Sequence, residues 1–176
     1  MRPLPRPRLV YSFILITVLI AITLSSLVAS DLGLLNDSAE VKIDNQDETG
    51  YNISVYYTSA ESVTNVGYTA TVNNQTQQYE SIPSVPVGNN VSHIEPTNAE
   101  LLEEISIGPK RNSTNSFDNW SQSGTFVYII ESSDGNVVHF NAMHCGSGNP
   151  EYYFEADTNG HSLSSSTCND GLLLNK

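Results

Sequence analysis

Basic residues are nearly missing from most of this chain. Seven lysines and arginines stand against 19 acids among 176 residues, and Arg2, Arg6 and Arg8 account for three of the seven. After residue 30 only Lys42, Lys110, Arg111 and Lys176 oppose all 19 acids, a balance of −15. Such a surface repels polyanions, which excludes nucleic acid and anionic lipid as its partners. Cysteine is confined to Cys145 and Cys168, and tryptophan to Trp120. Zinc would need more ligands at sensible spacing than these cysteines and four histidines offer. No Gly-x-Ser-x-Gly, His-Glu-x-x-His or phosphate loop occurs. The acids read as scattered residues, mostly single and on turns, as on a solvated surface. No catalytic, cofactor-binding or metal-ligating residue is therefore assigned, and no enzymatic activity is expected.

One long apolar run is present. "LVYSFILITVLIAITLSSLVA", residues 9–29, carries no charge, proline or glycine. A cleavable signal core needs about 7–15 apolar residues, and a membrane span about 20. The run reads as a signal-anchor helix, with cleavage after Ser30 as the alternative. Arginines before it and acids after it place the first residues in the cytoplasm and the rest outside. Three parts follow: a basic stub with the anchor helix (1–30), a tether (31–40) and one extracytoplasmic domain (41–176). The expected location is the cell membrane with the C-terminal domain outside, or secretion if the helix is cleaved.

Scarce lysine, dense acid and abundant Asn, Ser and Thr after residue 30 resemble the small anchored or signal-bearing proteins that extreme halophiles of the haloarchaeal type export. The resemblance implies stability in molar salt, where charge is screened within about 3 Å.

From Val41 onward apolar residues recur with period two. "EVKID", "NISVYYT", "VGYTATV" and "TQQYESI" read as strands separated by turn clusters such as "DNQDETG" and "NNQ". "PSVPVGNN" has two prolines and reads as an edge or loop. In "PTNAELLEEI", Thr97 and Glu100 have capping-box spacing, with Leu101, Leu102 and Ile105 as an apolar face, which predicts a short helix ending at Gly108-Pro109. "KRNSTNSFDNWSQSG" reads as a polar loop with Phe117 and Trp120 as anchors. "GTFVYIIES" is nearly continuous in apolar residues, as befits a central strand buried on both faces. "SDGN" then turns the chain into "VVHFNAM". "EYYFEAD", "TNG" and "HSLSSS" make a second hairpin, and "GLLLNK" a last short strand. The expected fold is all-β, an immunoglobulin-like or related β-sandwich with one short helix.

The segment 141–170 holds both cysteines and two histidines, so it is the candidate site. A cupredoxin-type copper centre would place His and Met just after the ligand cysteine. Cys145 is instead followed by "GSGNPEYYFEADTNG". His139 and His144, five apart on a strand, point to opposite faces. In an exported domain the two cysteines pair with each other, Cys145 with Cys168, clipping the second hairpin to the end of "VVHFNAM". His161, after Gly160, reads as a solvated turn residue. Asn36, Asn52, Asn74, Asn90, Asn112 and Asn119 each begin an Asn-x-Ser/Thr motif and are candidate N-glycosylation sites. The function expected is a cell-envelope binding or structural module. It is expected to contact the membrane through residues 9–29 if the helix is uncleaved, with envelope proteins or glycans as its other partners. The alternatives are a filament subunit, whose apolar N-terminal helix resembles the stem of archaeal pilins, and an exported enzyme or copper electron carrier.

Overall fold

The computed structural model describes residues 38–81, 90–118, 120 and 123–169. The anchor helix, residues 31–37 of the tether, the proline-bearing stretch 82–89, Asn36, Asn119 and the predicted last strand 171–176 lie outside the described residues. Among those described, no helix is long and apolar enough to cross a membrane.

The described residues form eleven strands in chain order: β1 (Ala39–Asn45), β2 (Tyr51–Thr58), β3 (Tyr68–Val72), β4 (Gln75–Tyr79), β5 (Val91–Pro96), β6 (Glu100–Ile107), β7 (Arg111–Phe117), β8 (Gly124–Ser132), β9 (Val137–Cys145), β10 (Asn149–Ala156) and β11 (Ser162–Asn169). They form three sheets, with strand orders β11-β10-β1-β7, β6-β2-β8-β9 and β4-β3-β5, called A, B and C below. Among the described residues every pairing is antiparallel except β1 with β10, which run parallel from Glu40↔Glu151 to Asn45↔Ala156.

The alternation read from the sequence positions the layers. Val41 and Ile43 of β1, Ile53 and Val55 of β2, Phe126, Tyr128 and Ile130 of β8, and Tyr152 and Phe154 of β10 fill the space between sheets A and B. The intervening residues of β8, Val127 and Ile129, face the other way. They pack with Tyr68 and Ala70 of β3 and Val91 and Ile94 of β5, so that sheet C covers the outer side of sheet B. The apolar run of β8 is thus buried on both faces, as its composition requires. Gly124 opens β8 where the chain crosses a ring: an added Cβ would collide with the Tyr57 ring. Phe117 and Trp120 anchor the β7–β8 connection, Trp120 meeting Phe117 and Phe126 edge-on at 5.8 Å each.

Two expectations are corrected. The segment predicted as a helix is strand β6, paired with β2 from Tyr51↔Ile107 to Tyr57↔Glu100. Asn98, inside the supposed cap, takes φ +58°, and the Thr97 amide donates to Gly67 O at 2.8 Å. A helix of this length gains little by itself, whereas the β2 ladder pairs its backbone and buries Ile105 and Ile107. A bulge opposite Val55/Tyr56 resets the phase, so half-buried Leu102, not Glu103, reaches the core. That bulge breaks the period-two signal and makes the pattern look helical. The helical residues among those described are the 3₁₀ turn Val63–Asn65. The polar "RNSTNSF" is not a loop but β7, pairing with β1 along its length. Its inward residues before Phe117 are Ser113 and Asn115, so apolar alternation gives little warning of it.

Candidate functional site

The cysteine-bearing segment is a seam between sheets. Cys145 ends β9, at the edge of sheet B, and Cys168 lies on β11, at the edge of sheet A. They are bonded, with Cα atoms 5.8 Å apart. Pairing of β10 with β1 brings this about, because it seats the β10–β11 hairpin in the opposite sheet. The bond therefore joins the two layers of the sandwich, in addition to clipping the hairpin. Along the same seam Ser164 lies within hydrogen-bonding distance of His139 Nε2. Asn141 Nδ2 donates to Ser166 Oγ at 3.4 Å. His144 points to the other face and meets Thr125 Oγ1 at 3.3 Å. The two histidines do face apart, and among the described residues no group of three His, Cys, Asp or Glu is placed to hold a metal ion.

Behind the seam, Tyr128 and Tyr152 stack with ring centroids 4.0 Å apart. Both rings are buried, and neither hydroxyl has a hydrogen-bond partner among the described residues. Burial holds both phenols far above their ordinary range. Ser164 opposes the rise slightly at Tyr152 but falls short of hydrogen-bond geometry. Burial likewise lowers the pKa of His139. Neutral rings suit this place.

A second feature lies on the outer face of sheet A. Cross-strand register sets Tyr153 of β10 beside Lys42 of β1, and Lys42 beside Thr114 of β7. Together with Asn112 they line an open depression of about 370 Å³. Lys42 pairs with Glu40 at 3.0 Å, whose hydrogen bond and charge raise the lysine's pKa. The Tyr153 hydroxyl donates to Glu155 Oε2 at 2.9 Å.

The third feature, not foreseen from the sequence, is a cluster of four turns at one end of the sandwich. They join β1 to β2, β6 to β7, β8 to β9 and β10 to β11. Backbone bonds stitch them together: Gln46 N to Ala156 O, Lys110 N to Asp47 O and Ser133 N to Gly50 O. At the centre is Asn45, fully buried. Its Nδ2 donates to Thr49 O at 2.8 Å and to Gly108 O at 3.0 Å, while its Oδ1 accepts from Asp47 N at 3.0 Å. The Tyr51 hydroxyl donates to Asp47 Oδ2 at 2.7 Å, and this bond is the main reason the Asp47 carboxyl titrates below its usual range. In the β10–β11 turn Asp157 accepts from the amides of Asn159 and His161. Its pKa falls accordingly, the His161 amide contributing most. His161 is exposed, as expected, with its ring 3.4 Å from Asp157. The rim carries Asp47, Glu48, Lys110, Asp134, Asp157 and His161, mixed in charge and mostly exposed. In sequence only the turn residues were visible. A buried asparagine spanning turns 63 residues apart leaves no periodic trace.

Of the six glycosylation motifs, four start in described residues. Asn74, Asn90 and Asn112 are exposed, and Asn52 is half-buried on β2. No member of the curated proteins and no solved structure matches this chain. A family model does, over residues 6–174, nearly the whole length. Its description, "Halobacterial Ig domain protein", accords with a sandwich of β-sheets, with the halophile-like composition and with a structural or binding module. The chain belongs to the family of Halobacterial Ig domain proteins.

Proposed function

We propose that this chain is an anchored or secreted module of the cell envelope that holds a ring of turns outward for contact with envelope proteins or glycans. The observation that carries the reading is the polarity of the sandwich. β1 begins at the end where β7 and β11 finish, in register with Phe117 and next to the Cys168 row. The four stitched turns stand at the other end. The domain's first strand and the stitched turns thus lie at opposite ends of a scaffold whose loops gather at its ends. The disulfide supports the same location, since such bonds persist in oxidising compartments.

Protease added to intact cells tests the location: the C-terminal epitope is expected to disappear without lysis, and its protection until lysis would defeat the reading. Pull-down from solubilised envelopes tests the contact face. Wild-type protein should retain an envelope component that is lost on charge reversal at Glu48, Asp134 and Asp157 together. Equal retention by the variant would move the contact elsewhere, and release by shearing alone would favour a filament subunit.

A further inference from the structure

We infer that Asn112 carries an N-linked glycan whose first sugars lie in the depression between Lys42 and Tyr153. The inference rests on the reading that the domain is exported, and it names an occupant for the outer face of sheet A. Four motifs begin in described residues, and the structure separates them. Asn52 sits on the central strand β2, half-buried, with its Oδ1 accepting from Ser106 Oγ at 2.7 Å. Its amide is held against a neighbouring strand. Asn74 occupies a left-handed turn position at φ +62°. The Asn90 carbonyl accepts from Asn73 N at 2.9 Å, so the two motifs share one tip of sheet C. Sugars there would extend into solvent.

Asn112 differs. It lies on β7 at the edge of sheet A, and its motif partner Thr114 shares its face, two residues on. Both side chains are exposed and both line the depression of about 370 Å³. The rest of the lining suits a sugar. Tyr153 presents a ring whose orientation is set by its bond to Glu155, available to the C–H face of a pyranose. Lys42 and Thr114 supply donors for its hydroxyls. Glu40, Asp44, Glu151 and Glu155 surround the place along the same strands, so a free acidic ligand is disfavoured. A covalently attached glycan needs little intrinsic affinity, because attachment supplies a high effective concentration.

The chemistry balances with a polyisoprenyl-phosphate-linked oligosaccharide as donor. Asn112 Nδ2 forms a bond to the anomeric carbon and gives up one proton. The bond from that carbon to the phosphate oxygen breaks, and the lipid phosphate leaves with its electron pair.

The test uses the full chain made in a host that exports and N-glycosylates proteins. Glycopeptide mass spectrometry is expected to find sugar on Asn112. Labelling with an amine-reactive ester is expected to be slower at Lys42 in the wild type than in Asn112→Gln, with Lys110 labelled equally in both. An unmodified Asn112 in chains that protease shaving shows to be exported overturns the inference alone. So does a modified Asn112 with Lys42 labelled equally in the wild type and the variant. A chain that shaving shows to be retained inside overturns the export reading, and this inference with it.

Discussion

Asn45 is the sharpest place to perturb this domain. Asn45→Ala removes the three hydrogen bonds that tie Thr49, Gly108 and Asp47 together. At about 1 kcal/mol net for each, the loss is about 3 kcal/mol. Asn45→Asp has almost the same shape and keeps the bond from Asp47 N. It turns a donor into an acceptor, however, at 2.8 Å and 3.0 Å from two carbonyl oxygens. Two bonds become repulsions, and an unpaired charge is left fully buried. At neutral pH the aspartate should therefore cost more than the alanine, beyond about 4 kcal/mol. Burial raises the folded pKa of such a carboxyl above its unfolded value. The penalty is then present above the folded pKa and fades as pH falls through it, because the protonated acid can again donate one bond. Urea unfolding in molar KCl at pH 7 and pH 4 measures both terms. The expected order at pH 7 is wild type, alanine, aspartate, with the last two converging at pH 4. A loss below about 1 kcal/mol for either variant would show that Asn45 does not hold the turns together. An aspartate gap independent of pH would show that its charge is not buried.

Replacing both cysteines with alanine opens a closure of sequence separation 23 and should cost about 3 kcal/mol. Hydrogen exchange should quicken in β10 and β11 while β8 stays protected, and two alkylated thiols in native protein would refute the bond. Ile129→Ala cuts into the core shared by sheets B and C and should cost about 2–5 kcal/mol, loosening β3 and β5 more than β10; uniform loosening would argue against separate cores. The folded pKa of His139 is depressed by burial from 6.5. Stability should therefore be fully present above the unfolded pKa and decline as pH drops from there through the folded value, a slope that His139→Gln should flatten. With −15 charges after residue 30, the unfolding midpoint should rise steeply from dilute to molar KCl; a flat response would leave ordinary acidity as the explanation.

Where side chains alternate between apolar and polar, the chain could be read directly. Val41 and Ile43, Ile53 and Val55, and the double-sided run Phe126–Ile130 all behave as their spacing requires. The reading failed where a strand owes its place to its neighbours. β6 carries a bulge that makes Leu102 and Ile105 look helical, and β7 turns Ser113 and Asn115 inward. Both are edge strands, where the ladder to one partner outweighs intrinsic preference. The disulfide was legible because two cysteines allow one pairing. That it joins two sheets depends on β1 lying parallel to β10, a contact between residues over 100 positions apart. The cluster of turns was hidden for the same reason.

That parallel pairing also decides how the domain would bear load. β1 is the first strand of the domain and an inner strand of sheet A, flanked by β10 and β7. Tension between a tether at Ala39 and a partner gripping the far turns would run along the axis of β1. Its hydrogen bonds to both neighbours lie across that axis, so they resist together in shear instead of parting singly as a zipper does. A module built this way withstands tugging along its length better than peeling at the β4 edge, a property suited to a part fixed at one end and grasped at the other.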